Sequence, residues 1–193
     1  MIIVGGLDLE TTGLDQSAGH RIIEIAILLY NLETTAFLGK FVQRINPQRA
    51  IDPAAQAVHG ITFDQLAAEP VWEVVAPRVS QILSKVKFGV AHNGFGFDFP
   101  FLAAELMRVG VAVPVFEPID TMVEARWATA GGKLPNLREL CFATGVAYDP
   151  EQAHQAEYDV EVLMAAYFAA RAQGFMPPSI MQPVPAVVET LAA

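Results

Sequence analysis

Apolar positions follow two different periods along this chain. Ile2–Leu9, Arg21–Asn31 and Thr35–Ile45 are apolar, β-branched runs, the last two separated by Asn31-Leu32-Glu33-Thr34. Runs of that length bounded by turn-forming residues predict a meander of antiparallel strands. Beyond Asn46-Pro47 the helical period takes over. Pro53 opens a short helix that stops at Gly60, Thr62-Phe63-Asp64-Gln65 is a capping box for another, and Pro70 precedes a helix over Val71–Ser84. Val86–His92 reads as a further buried strand. Pro100 lies in the first turn of a helix ending near Gly110, and Thr121-Met122-Val123-Glu124 caps the next. Asn136-Leu137-Arg138-Glu139 starts a helix that stops at Gly145, and a last one runs from Gln155 to Ala172. Strands first, then helices alternating with one or two more strands, predict an α/β fold with a mixed central sheet.

No internal repeat is present. Residues 1–173 form one domain on this reading, and 174–193, with four prolines and little charge, form an extended tail that packs on the domain or on a partner. A chain of 193 residues that is 53% hydrophobic can bury a full core. The single cysteine, Cys141, has no disulfide partner and reads as a core residue in a reducing compartment. Met1-Ile2-Ile3-Val4 lacks a basic leader, and Asp8 interrupts the apolar run, so a cytoplasmic protein without a membrane partner is expected. The net charge of -9 excludes broad adhesion to duplex nucleic acid. It leaves room for a small phosphate site built on cations held by carboxylates.

Three segments carry candidate chemistry. In Leu7-Asp8-Leu9-Glu10-Thr11-Thr12-Gly13-Leu14, strand alternation points Asp8 and Glu10 the same way, while Leu7 and Leu9 face the core. Paired like charges suit a hard divalent cation between them. In the second segment, from His92 to Leu102, Asp98 is either the N-cap of a helix or an inward-facing ligand, since Phe101 and Leu102 share its helical face. In the third, Asp159 shares a face with Val162, Leu163 and Ala166, where an unpaired carboxylate is costly. His154 stands at the helix N-terminus, which favours neutral imidazole able to accept a proton, although a surface loop histidine is the plain reading. His20 and His92 read as structural, and His59-Gly60 as a helix stop. Glu24 and Glu105 sit among apolar residues and could be buried partners, but solvated edges are expected for them, and Lys85, Lys87, Lys133 and Arg138, able to make a few phosphate contacts, are expected on solvated surface.

Together these segments resemble the DEDDh 3'-5' exonuclease superfamily, which includes bacterial proofreading subunits, ribonuclease T and the three-prime repair exonucleases. Asp8 to Leu14 is similar to its first motif, His92-Asn93 through Asp98 to its second, and His154 through Asp159 to its third. Arg21–Ala26, Ala57–Thr62 and Ile119–Thr121 look like recurrent segments of the superfamily, and the second and third motifs resemble most the three-prime repair branch. The resemblance implies a ribonuclease H-like fold and a two-metal phosphodiester hydrolase. Asp8, Glu10, Asp98 and Asp159 would hold two Mg2+ ions, replaceable by Mn2+, and His154 would take the proton of the attacking water. Nucleoside 5'-monophosphates would leave a single-stranded or frayed 3' end, DNA before RNA, in proofreading or repair. Thr11, Thr12, Gly13 and Leu14 would contact the terminal nucleotide, with Leu14 wedged against its base. His59 and Ile61 would touch the strand, and Asn93 would support the second motif. A polymerase or a second copy of the chain is the implied protein partner.

Three alternatives are weighed against this reading. An RNA-trimming exoribonuclease uses the same motifs. A noncatalytic polymerase-associated module usually lacks one of the five residues, and all five are present. The haloacid dehalogenase-like phosphatases share Asp-x-x-x-Thr with Asp8 to Thr12, but Glu10 breaks their pattern and no lysine-plus-acidic-pair constellation follows.

Overall fold

The computed structural model describes residues 1–178, and the tail segment 179–193 lies outside the described residues. Five strands form one sheet: β1 (Ile3–Thr11), β2 (Ile22–Asn31), β3 (Phe37–Arg44), β4 (Phe88–Ala91) and β5 (Glu117–Asp120), in the order β3-β2-β1-β4-β5. β1 pairs antiparallel with β2 and β2 with β3, whereas β4 runs parallel to β1 and β5 parallel to β4. Among the described residues seven α-helices connect and cover them: α1 (Pro53–His59), α2 (Phe63–Leu66), α3 (Trp72–Leu83), α4 (Asp98–Arg108), α5 (Thr121–Glu124), α6 (Leu137–Thr144) and α7 (Ala156–Ala172).

The alternation along β1 sorts the core. Leu7 and Leu9 join Ile25 and Ile27 of β2 beneath α3 and α4, in a cluster with Trp72, Val79, Phe101 and Leu106. Val4, Ala26, Leu28 and Val90 face the other way, against Leu140 and Cys141 of α6 and Val160, Leu163, Met164 and Tyr167 of α7. Gly6 lies on this second face. A Cβ there would come within 2.6 Å of both Val160 Cγ1 and Met164 Cγ, so the missing side chain lets α7 lie close on β1.

Element boundaries depart from the sequence reading where tertiary contacts decide them. β1 continues past Leu9 to Thr11, because Thr11 pairs with Ile22 across a bulge that follows the Glu10–Glu24 pair. β4 is shorter than Val86–His92: the Val86 N–H closes the turn after α3 by bonding to Leu83 O. The strand Glu117–Asp120 is not visible as a separate apolar run. Asp120, not Thr121, caps α5, its carboxylate accepting from Met122 N at 2.9 Å. The capping residues Thr62 and Asn136 stand as expected: Gln65 accepts from Thr62 N at 2.8 Å, and Asn136 accepts from Glu139 N at 2.8 Å. The first tail residues lie against the domain. Met176 is buried in the α7-side core, Phe175 stacks on Trp127, and Tyr167 donates to Pro177 O. No helix among the described residues is long and apolar enough to cross a membrane.

Candidate active site

Asp8 and Glu10 stand two residues apart on the α7 face of β1, at the edge where β4 has already ended. Asp159, in the first turn of α7, descends onto the same edge because α7 is seated on Gly6 and its neighbour Val160 lies in the core. The segment before α7 turns sharply. His154 adopts φ 62°, and its backbone N–H donates to Asp159 Oδ2 at 3.0 Å. This fold-back brings one ligand-type atom each of Glu10, His154 and Asp159 within 4.8 Å of one another. Left-handed backbone at a non-glycine residue costs energy, and here the Asp159 carboxylate holds it.

Asp98 arrives from the opposite layer. It is the first residue of α4, with Phe97 at the cap position, and it is only 3% exposed. Asp98 therefore faces inward from the first turn and does not cap the helix. The loop before it, from Asn93 to Phe97, is tied down by Asp120 at the end of β5: Asp120 Oδ1 accepts from Asn93 N at 3.0 Å and Oδ2 from Phe95 N at 2.9 Å. Asn93 itself sits at φ 66°, and its carbonyl accepts from Gly96 N and Phe97 N, closing the turn that aims Asp98. Asp120 is almost fully buried, and the sequence reading assigned it no role. The sequence signal was present, since an Asp one residue before a short helix is a capping pattern.

The four carboxylates share one electrostatic environment. Burial holds Asp8 well above the usual carboxylate range, and the charges of Asp98, Glu10, Asp159 and Glu24 add to the effect. Glu10 is pushed up to about 8, again by burial first and then by Asp159, Glu24 and Asp98. Burial pushes Asp98 up to about 7, against the pull of the backbone N–H groups of Asp98 and Leu9. Asp159 is raised by burial, with the His154 N–H opposing. Asp98 Oδ1 and Asp159 Oδ1 are buried and have no hydrogen-bond partner among the described residues. Unpaired carboxylate oxygens inside a set of like charges call for cations. The residues present therefore fit divalent metal, since hard ions take carboxylate oxygens.

A cleft of about 620 Å³ opens beside Glu10, walled by Thr11, Gly13, Leu14, Ala54, Ala55, Val58, His59 and Phe97, among others. Leu14 is 81% exposed and projects freely at its rim. Beneath the turn lies His20: a Cβ on Gly13 would meet its ring at 2.3 Å, so only glycine permits this approach. Thr12 departs from its expected role as a nucleotide contact. It is fully buried, its hydroxyl accepts from Arg21 N and pairs with His20 Nδ1, and its carbonyl accepts from Asp52 N. All its polar groups serve the turn. Ile61 likewise faces inward, packing on Ile23 and Leu66 as the apolar residue that precedes the α2 cap. His59 does line the cleft, with Nδ1 accepting from Ile61 N at 3.0 Å, and burial lowers its pKa.

Two carboxylates also differ from expectation, while His92, Lys87 and Lys133 stand where they were expected. Glu24 is buried, directly opposite Glu10, and paired with Arg44. Glu105 is buried too, held by Arg108. Each occupies an interior position only because an arginine reaches it. His92 is enclosed structurally: Nε2 lies 3.0 Å from Pro135 O and so carries the proton, Nδ1 lies 2.9 Å from Thr121 Oγ1, and burial lowers its pKa. Lys87 and Lys133 pair with Glu117 and Glu139 on the surface.

A five-stranded mixed sheet, covered on both faces and carrying acidic groups where β1 and β4 end, defines a ribonuclease H-like α/β domain with a candidate metal site at the sheet edge. The profile of the exonuclease family matches residues 6–167, and the chain belongs to this family, within the DEDD 3'-5' exonuclease superfamily. It is 36% identical over 166 residues to the DNA polymerase III subunit epsilon of Rickettsia felis, covering 83% of this chain and 70% of that one. It is 33% identical over 156 residues to the 3'-5' exonuclease DinG of Bacillus subtilis, covering 81% of this chain but only 16% of DinG. In fold it resembles E. coli exonuclease I crystallised with a dT13 oligonucleotide, with a TM-score of 0.75 at 19% identity, over 89% of this chain and 41% of that one. The chain thus spans a small part of DinG and less than half of exonuclease I.

Proposed function

We propose that this chain is a metal-dependent 3'-5' exonuclease that releases nucleoside 5'-monophosphates from single-stranded or frayed DNA 3' ends. The observation that carries the reading is the pair of buried carboxylate oxygens, Asp98 Oδ1 and Asp159 Oδ1, that have no partner among the described residues, in a set of four carboxylates whose burial favours the protonated form. Asp8, Glu10, Asp98 and Asp159 would hold two Mg2+ ions, or Mn2+ in their place. Such ions, when bound, lower the pKa of water and neutralise charge on a phosphodiester.

The chain's own groups do the rest. His154, exposed and fixed by the fold-back onto Asp159, accepts the proton of the attacking water. Leu14 lies against the terminal base, with Ala54, Ala55 and Val58 as the facing apolar wall. Apolar contact with a base face tolerates any sequence. Thr11 sets the angle of this turn through its hydroxyl, which donates to Gly13 O at 2.8 Å, while Thr12 and His20 support it from below. Asn93 and Asp120 position Asp98. DNA as the substrate and proofreading beside a polymerase rest on the kinship with DNA polymerase III subunit epsilon, whereas repair, a second copy and the cytoplasm follow from the sequence resemblance and composition alone. Residues 1–173 form the catalytic domain in this reading, with 174–193 as its tail.

The test is a panel of labelled single-stranded DNA, mismatched duplex DNA and matched RNA ends, read by product length with Mg2+ and with Mn2+. Stepwise 3' shortening to 5'-mononucleotides, abolished by chelator and by Asp8→Ala, is expected. A pure, folded sample inactive with both metals overturns the proposal.

A further inference from the structure

Arginine gathers in one place on this acidic chain. Arg21, Arg49 and Arg108 line a cleft of about 370 Å³ with Gly19, Pro47 and Gln48, whereas the chain as a whole carries a net charge of -9. The arrangement is held from below. Buried Glu105 accepts from Arg108 Nε at 2.7 Å and Nη2 at 3.1 Å, a two-pronged bond, and its Oε1 lies 3.5 Å from Arg21 Nη1. Trp72 Nε1 fixes the Glu105 backbone carbonyl at 2.9 Å, and Glu73 takes Arg108 Nη1 at 2.9 Å. Two carboxylates thus answer two of the three guanidinium groups. Arg49 has no carboxylate within ion-pair distance among the described residues, and its only bond is a long one, Nη1 to Ala18 O at 3.5 Å.

We infer that this cleft is a phosphate site for the nucleic-acid strand, upstream of the 3' end, with Arg49 as its uncompensated cation. Guanidinium groups fixed in advance match phosphate oxygens in geometry and lose little freedom on binding. A strand is favoured over a lone anion by what adjoins the cleft. Gln48 and Arg49 also line a neighbouring cleft of about 450 Å³ that contains Ile51 and Phe63, the latter 43% exposed and free to stack on a base. On the other side it adjoins the cleft beside Glu10: Gly19 lines the arginine cleft and His20, the next residue, lines the other. A strand leaving the catalytic cleft over this turn meets cation and aromatic together. The inference rests on the proposed exonuclease reading for the polarity of the strand, but not for its chemistry.

The test measures binding in chelator, where no hydrolysis occurs, using an oligothymidylate of about 20 nucleotides, longer than a single-strand site of about 4–16. Arg49→Gln should flatten the plot of log affinity against log salt by about 0.7, the loss of one phosphate contact on a single strand. Arg49→Glu should weaken binding by about 10-fold at low salt, and Arg49→Lys should keep the wild-type slope. Thermal melting checks that each variant is folded. Hydrolysis of the p-nitrophenyl ester of thymidine 5'-monophosphate, too short to reach the cleft, should be unchanged in all three. An unaltered affinity and slope in both Arg49→Gln and Arg49→Glu overturns the inference. So does wild-type binding of inorganic phosphate that Arg49→Gln abolishes while oligothymidylate affinity stays the same, since the site then serves a small anion. Failure of wild-type protein to hydrolyse the ester with either metal would count against the exonuclease reading and leave the binding result standing.

Discussion

Glu10 and Glu24 face each other directly across the antiparallel pair β1 and β2, and Arg44, opposite Glu24 on β3, donates to Glu24 at 2.8 Å. The cation on this row therefore answers the outer carboxylate and, among the described residues, leaves the inner one without an ion-pair partner. On the proposed function Glu10 would serve a metal ion, and in the metal-free protein its burial beside like charges is a cost.

That cost predicts how stability depends on pH and metal. In the folded, metal-free chain burial and neighbouring charge hold the proton on Glu10 to about pH 8 and burial holds that on Asp98 to about pH 7, against ordinary values of 4.5 and 3.8. Between these limits the folded state binds more protons than the unfolded state, so stability falls as pH rises. Melting curves in chelator from about pH 5 to about pH 8.5 should show the midpoint dropping, each kcal/mol lost moving it by about 2–4 °C. Mg2+ should flatten the profile at the alkaline end. A chelated protein that melts at the same or a higher temperature at the alkaline end contradicts the electrostatic reading.

Asp98→Asn separates stability from activity. The amide keeps the shape but removes a buried charge, so above neutral pH the metal-free variant should melt higher than wild type. Exonuclease turnover should fall by at least about 100-fold, the scale of losing a ligand that stabilises charge in the transition state. Parallel melting and steady-state kinetics decide the matter, and an active variant removes Asp98 from the ligand set.

His154→Ala tests the proton acceptor. Loss of a general base lowers kcat by about 10²–10⁴-fold while binding of the oligonucleotide is retained. Weakened binding with unchanged kcat would instead make His154 a substrate contact.

Gly6→Val addresses the seat of α7. The new Cβ alone would approach Val160 Cγ1 and Met164 Cγ within 2.6 Å, both in the packed interior. Overpacking of this kind costs about 1–3 kcal/mol, and moving α7 carries Asp159 away from Glu10. Denaturant midpoint and kcat should fall together. A variant with lower stability and full activity would show that Asp159 is positioned by the 154–159 fold-back alone.

The period of each long element, the caps at Thr62 and Asn136 and the three acidic motifs are all legible in the order of residues. These are local facts: alternation put Asp8 and Glu10 on one face, and helical spacing put Asp159 beside Leu163. Short elements with no period of their own were beyond its reach, as Glu117–Asp120 shows, because that strand exists through pairing with β4. So were the burial of Glu24, Glu105 and Thr12 and the inward turn of Ile61. Arg44, His20 and Leu66 lie 20, 8 and 5 residues from their partners Glu24, Thr12 and Ile61, at spacings that do not say which groups will meet, while the i,i+3 spacing of Glu105 and Arg108 in α4 pairs them without saying that the pair is buried. Tertiary structure alone decided that α7 would rest on Gly6, that Asp120 would hold the loop bearing Asp98, and that three scattered arginines would share one cleft. A motif names the residues able to hold a charge. Which charges end up buried, paired or left open depends on packing between segments distant in the chain, and there the energetic cost of an unmatched carboxylate is set.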